Sequence, residues 1–246
     1  MPESSTSQLS AIRGRLRSDH SSYIARQGSH SNRDDLIASG HCNLPKWSNN
    51  EPKTFWRAAE RGERKNGAVY REAVIALPNE LNTQQNMALV EDLISKLAPG
   101  RPCQHAIHAP TSSLEGELNP HLHLLMSDRL DDGIERSPEK FFSRFNATNP
   151  EAGGRRKASG GINAMELRDD VLAKRELVAD TLNHHLAIHG HAARVDHRTL
   201  KAQGIERKAE RRIAAFKIEK MSSKEKSEYV AARKAANHDK SNNPPV

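Results

Sequence analysis

The chain has 246 residues, 35% hydrophobic and 28% charged, with a net charge of +7 and a pI near 9.5. No apolar run approaches a membrane span, no apolar signal core opens the N-terminus, and the two cysteines, Cys42 and Cys103, make no disulfide framework, so the expectation is a cytoplasmic protein without a membrane segment. The basic balance favours a polyanionic partner, nucleic acid before membrane surface, although 12 Lys/Arg against 6 Asp/Glu from Lys201 onward place most of the excess in the tail.

Residues 1–20 are polar, with Leu9, Ile12 and Leu16 at loose helical spacing. Ser21 to Gly28 reads as a short helix stopped by Gly28. It contains Tyr23, one of three tyrosines; the others are Tyr70 and Tyr229. Residues 29–51 read as a loop with turns. Pro52 suits a first helical position, and Phe55, Trp56 and Ala59 give that helix an apolar face up to Asn66-Gly67. Tyr70 to Ala76 reads as a strand with Tyr70, Glu72 and Val74 on one face. Asn82 or Thr83 then caps a helix with Met87, Val90, Leu93, Ile94 and Leu97 as its buried stripe.

Asn119-Pro120-His121-Leu122-His123-Leu124-Leu125-Met126 is short, apolar and bounded by turn formers, which is a buried strand. Side chains alternate, so His121 and His123 share a face, about 7 Å apart. Two imidazoles so placed can share a metal ion. Gln104 to Ala109 forms a strand upstream, and the loop from Pro110 makes the two a hairpin. The hairpin puts His105 or His108 beside the pair, depending on register. Three imidazoles with open positions suit a catalytic rather than a closed structural metal site.

Ser137-Pro138-Glu139 starts a helix with Phe141, Phe142 and Phe145 facing inward. Residues 147–163 are loop-like around Gly153-Gly154-Arg155-Arg156-Lys157, a basic cluster able to contact phosphates. Residues 166–189 are a long amphipathic helix, with Val171, Leu172, Val178, Leu182, Leu186 and Ile188 expected inside. His184, His185, His189 and His191 cluster near its end, where cations suit the helix dipole. From Gly204 a Lys/Arg/Glu/Ala-rich helix leads into a polar end. The expected class is α+β, an antiparallel central sheet with flanking helices and a helical C-terminal extension.

Four stretches resemble the MobA/MobL family of plasmid mobilization relaxases, of the HUH class of single-strand endonucleases. They are Asp19 to Gly28, Tyr70 to Pro78, Asn119 to His123 with His108 upstream, and Val195 to Leu200. The resemblance runs from about Ser22 to about Glu210 and implies a catalytic unit over 21–203, between a polar segment (1–20) and a basic tail (204–246). It implies an enzyme that nicks one strand at a transfer origin through a 5′-phosphotyrosyl intermediate. Tyr23 then matches the nucleophile, with Glu72 assisting. His108, chosen over His105 on the family pattern, joins His121 and His123 around a divalent metal, Mg or Mn. Arg155, Arg156 and Lys157 are the candidate DNA contacts. Implied partners are single-stranded origin DNA, accessory mobilization proteins and a secretion coupling protein. Two departures stand out: no strand is expected in residues 1–20, and Val74 stands where relatives have a second acid. They support an alternative, a relaxase-derived DNA-binding protein that no longer nicks.

Overall fold

A computed structural model describes residues 8–10, 19–65, 67–114, 116–192, 195–206, 213 and 215–238. Five strands, β1 (Gln8–Ser10), β2 (Leu36–Cys42), β3 (Arg71–Ala76), β4 (Cys103–His108) and β5 (His121–Met126), form one sheet in the order β1-β3-β5-β4-β2. Every pairing is antiparallel. Helices α1 (Asp19–Ile24), α2 (Pro52–Gly62), α3 (Thr83–Leu97), α4 (Pro138–Phe141) and α5 (Ala164–Ile188) accompany the sheet. Helices α6 (Ala215–Lys220) and α7 (Ser223–His238) follow. The expected α+β class and antiparallel sheet are therefore the architecture observed. Among the described residues, no helix is long and apolar enough to cross a membrane.

Strand alternation gives the sheet two unlike faces. One face is apolar. Ala73, Ile75, Leu122, Leu124, Cys103 and Ile107 pack there against Leu89, Leu93 and Leu97 of α3 and Val178, Leu182 and Leu186 of α5. The other face carries Glu72, Gln104, Ala106, His108, His121, His123 and Leu125. An aromatic cluster of Phe55 and Trp56 from α2 with Phe141 and Phe142 around α4 covers the Ala106 and Leu125 part of it.

Local chemistry sets the helix starts. At α3 the Asn82 side chain accepts from Gln85 N and Gln85 Oε1 accepts from Asn82 N, both at 2.9 Å, a reciprocal capping box. Asn163 and Glu166 form the same box at the start of α5, two residues earlier than expected. Along α5 the apolar stripe is shorter than expected. Val178, Leu182 and Leu186 are buried, whereas Leu172 is 44% and Ile188 57% exposed: the α5 residues packed in the core lie in the second half of this 25-residue helix, and Ile188, two residues past Leu186, turns off their stripe.

Three expectations need correction. Residues 29–51 are not all loop, since β2 runs along the edge of the sheet against β4. A bulge between Leu36 and Ala38 breaks its alternation, and Gly40, Ser39 and His41 lack strand propensity. Gly40 has a packing reason: a Cβ there would lie 2.7 Å from Cε1 of His105. The segment 1–20 does contain a strand, β1, pairing Gln8, Leu9 and Ser10 with Val74, Ala73 and Glu72. It is too short to show a period. Finally, Cys42 and Cys103 lie opposite each other on β2 and β4 and form a disulfide, with Cα atoms 5.1 Å apart. Register brings them together across 61 residues of sequence, which spacing could not show.

Candidate metal centre and tyrosine helix

Register decides which upstream histidine joins the pair. His108 is the partner of His121 and faces the same side, while His105 is the partner of Leu124 and faces the apolar layer. Residues 105 and 108 are an odd number apart, so they must face opposite sides. His108, His121 and His123 each offer a ring nitrogen, all within 4.8 Å of one another. Among the described residues they are the group arranged to hold a metal ion.

The surroundings prepare these rings as ligands. His123 Nδ1 donates to Glu72 Oε1 at 2.9 Å, and His121 Nδ1 donates to the Asn119 carbonyl at 2.9 Å. In each ring, that leaves the Nε2 lone pair for a cation, the outer-shell pattern of metal-binding histidines. Burial lowers the pKa of His108 to about 4, with its hydrogen bond to Ile24 opposing. Burial also lowers that of His121. Both are therefore neutral near pH 7, as ligands must be. His108 Nε2 lies 2.7 Å from the Ile24 carbonyl; a carbonyl only accepts, so Nε2 holds the proton and Nδ1 the lone pair. That Nδ1 accepts from Arg26 Nη2 at 3.2 Å. His121 and His123 thus each keep a lone pair for a divalent cation, and His108 can join them through Nδ1 once Arg26 gives it up, a donor set that leaves open positions.

Tyr23, on α1, lies beside two of this trio. Its ring centre is 6.5 Å from that of His108 and 6.4 Å from that of His123, both edge-on. The Arg26 guanidinium sits 4.6 Å from the tyrosine ring centre and that of Arg33 5.6 Å, within cation–π range. Arg26 is 7% exposed and grips Asp35 through two bonds of 2.7 Å. The pair raises the pKa of Arg26 and lowers that of Asp35. Arg26 has φ +51°, a left-handed conformation costly for a residue with a side chain.

Glu72 is buried beside the trio. A single oxygen, Oε1, accepts from His123 and, at 3.2 Å, from His20 Nε2. Burial pushes its carboxyl up, but the two histidines outweigh it and hold it down at about 2. His20 also stacks on Tyr23 and Tyr70, with ring centres 5.8 and 5.7 Å away. Sequence reading missed His20, Arg26 and Asp35 as members of this site. Their nearness in sequence to Tyr23 was the signal available. Val74 is the partner of His123 on β3, so an apolar residue stands opposite that histidine.

The basic cluster is apart from these contacts. The Arg155 side chain bonds Asp131 at 2.6 Å and lies over Phe141. Lys157 bonds Glu63 at 2.7 Å, and Glu63 is also held by buried Arg129. Arg156 is exposed. The Val195 to Leu200 stretch docks on α5, where Asn183 bonds both N and O of Val195.

Sheet, flanking helices and imidazole trio together define an α+β domain with a candidate metal centre beneath a tyrosine-bearing helix. The MobA/MobL family model matches residues 15–224, and the chain belongs to the MobA/MobL family. It is 40% identical over 193 residues to a 43 kDa relaxation protein of Salmonella typhimurium, covering 77% of this chain and 52% of that one. It is 39% identical over 188 residues to Mobilization protein A of Escherichia coli, covering 75% and 25%. The chain thus spans about half the length of the first relative and a quarter of the second. In fold it is similar to a solved structure described as "Molecular Basis of Vancomycin Resistance Transfer in Staphylococcus aureus", with a TM-score of 0.53, 22% identity, and coverage of 74% of this chain and 90% of that one.

Proposed function

We propose that the chain is the nicking unit of a plasmid relaxase, acting on single-stranded transfer-origin DNA, with residues 21–203 as the catalytic part. The observation that carries this reading is the placement of Tyr23 beside His108 and His123 of three converging imidazoles. In this reading the Tyr23 phenol attacks the scissile phosphorus and loses its proton. The bond from phosphorus to the 3′ oxygen breaks, that oxygen takes up a proton, and the DNA 5′ end stays on the tyrosine. A free phenol ionises near pH ~10, so the reaction depends on its surroundings. Arg26, fixed by Asp35, places positive charge against the ring. Glu72 orients His123 and His20. His108, His121 and His123 would hold the cation, Mg or Mn. When bound, that ion polarises the scissile phosphate and offsets charge in the transition state. Of the basic cluster, Arg156 offers an exposed guanidinium for a phosphate, and binding through such contacts weakens with salt. Accessory mobilization proteins, a coupling protein and a cytoplasmic setting belong to the same reading.

The test mixes the protein with single-stranded DNA from the host plasmid's transfer origin, with Mn²⁺ or with EDTA, and resolves products on a denaturing gel. The expected result is a metal-dependent protein–DNA adduct, absent in Tyr23→Phe although that variant still binds. Binding without any adduct would overturn nicking. It would favour the second reading, a DNA-binding relative without the nick, for which Val74 beside His123 is the supporting observation.

A further inference from the structure

Helix α1 has six residues, too few to hold together alone in water. The last four carbonyls of such a helix lack partners within it, so what seats α1 can be read from them. Ser22 O accepts from Gln27 N at 2.9 Å. Tyr23 O accepts from Arg26 N at 3.2 Å and from Arg26 Nη1 at 3.0 Å. Ile24 O accepts from His108 Nε2 at 2.7 Å. Ser21 O accepts from Ala25 N at 3.3 Å and from Gln104 Nε2 at 3.1 Å.

Gln104 does more than meet one carbonyl. Its Oε1 accepts from Ser21 Oγ at 2.8 Å and from Trp56 Nε1 at 2.9 Å. One buried amide thus ties α1 and α2 to β4. Gln104 is 4% exposed and Ser21 3%, so water does not replace these bonds when they are lost. Gln104 lies four residues before His108 on the same face of the strand, outside every motif that marks the site. These bonds go to Ser21 and Trp56, and none goes to the histidine trio.

We propose that Gln104 is a positioning residue for Tyr23. It fixes one end of α1 at Ser21 while His108 fixes the other at Ile24, and the tyrosine is set between the two. The proposal rests on the reading of Tyr23 as the nucleophile only for its functional meaning; the seating of α1 is tested separately. Removing the amide leaves the Ser21 hydroxyl and the Trp56 N–H without partners and the Ser21 carbonyl with Ala25 N alone, and frees the Ser21 end while the trio keeps its geometry.

The test compares the full chain with Gln104→Met, which matches the length of the side chain without its polar atoms. Three quantities are read: hydrogen–deuterium exchange of the 19–27 segment, Mn²⁺ affinity by calorimetry, and Mn²⁺ broadening of the fluorine signal of 3-fluorotyrosine at position 23, assigned with Tyr23→Phe. In Gln104→Met, α1 amides should exchange about ten-fold faster or more, with α3 amides unchanged. Mn²⁺ affinity should stay within about two-fold while the Tyr23 fluorine signal moves and broadens less. Gln104→Glu keeps the accepting oxygens and should recover part of the α1 protection. If Gln104→Met does not fold, Ser21→Ala removes one arm and should give a smaller increase confined to α1. Unchanged α1 exchange and an unchanged Tyr23 signal would overturn the proposal, as would loosening spread equally over α1 and α3. Failure of the parent chain to bind Mn²⁺ would count against the metal centre instead, and the exchange data would still decide the role of Gln104.

Discussion

The two faces of the central sheet are built from the same strands but held by different forces. On one face Leu122, Leu124 and Ile107 meet α3 and α5 through apolar contact. On the other, Glu72, Gln104 and His108 add hydrogen bonds to α1 and α2 beside the apolar packing of Ile24, Phe55 and Trp56 on Ala106 and Leu125. Burial of apolar surface is non-directional and tolerates small shifts. A hydrogen bond is directional and fails over a few tenths of an ångström. Both faces therefore bury apolar surface, and the hydrogen bonds of the second face add position.

Three substitutions sharpen or break that contrast. The largest effect is expected at Leu124, which is fully buried. Leu124→Ala should cost about 2–5 kcal/mol of stability in urea unfolding, with Mn²⁺ affinity of the remaining folded protein unchanged. A matching loss of Mn²⁺ affinity would show that the faces are not independent. On the polar side, His121→Ala should weaken Mn²⁺ binding by more than about 100-fold, since even outer partners of ligands are worth about 10–100-fold. Its melting temperature should stay near that of the parent, because His121 is only half-buried.

The smallest effect concerns pH. Arg26 holds the Asp35 carboxyl below its ordinary value of 3.8. A carboxyl depressed on folding adds stability above its unfolded pKa, and that stability is lost as the pH falls through the folded value. Asp35→Asn should therefore cost about 1–3 kcal/mol near neutrality, a deficit that closes as the pH drops below 3.8. Urea unfolding of both proteins across pH 3–7 checks this. A deficit that stayed constant into acid would assign the cost to packing rather than to the Arg26–Asp35 pair.

The apolar face was the legible one. The Leu-His-Leu alternation of β5 and the helical stripe of α3 are periodic, and period follows from burial; Met87, expected in that stripe, is instead 43% exposed, and Leu89 and Asn86 are buried in the first half of the helix. The histidine trio was legible because alternation places His121 and His123 together, but choosing His108 over His105 needed the family pattern until register supplied the parity argument. Edge strand β2 was hidden by its bulge and small residues. Arg26, Asp35, His20 and Gln104 were hidden for another reason. Their partners lie on other elements, and no local pattern marks a side chain whose role is to bond a distant carbonyl or carboxylate. The exposed Leu172 teaches the converse, since a helical stripe does not say how far along the helix its partner extends.

Gly40 and His105 are best regarded as one packing unit. The imidazole of His105 occupies the space a side chain at position 40 would need, so a change at either position alters what the other can be. A larger residue at 40 therefore requires the His105 ring to turn aside or a smaller residue to replace it. Of the two histidines on β4, one fills space against its neighbour strand and the other faces the metal centre.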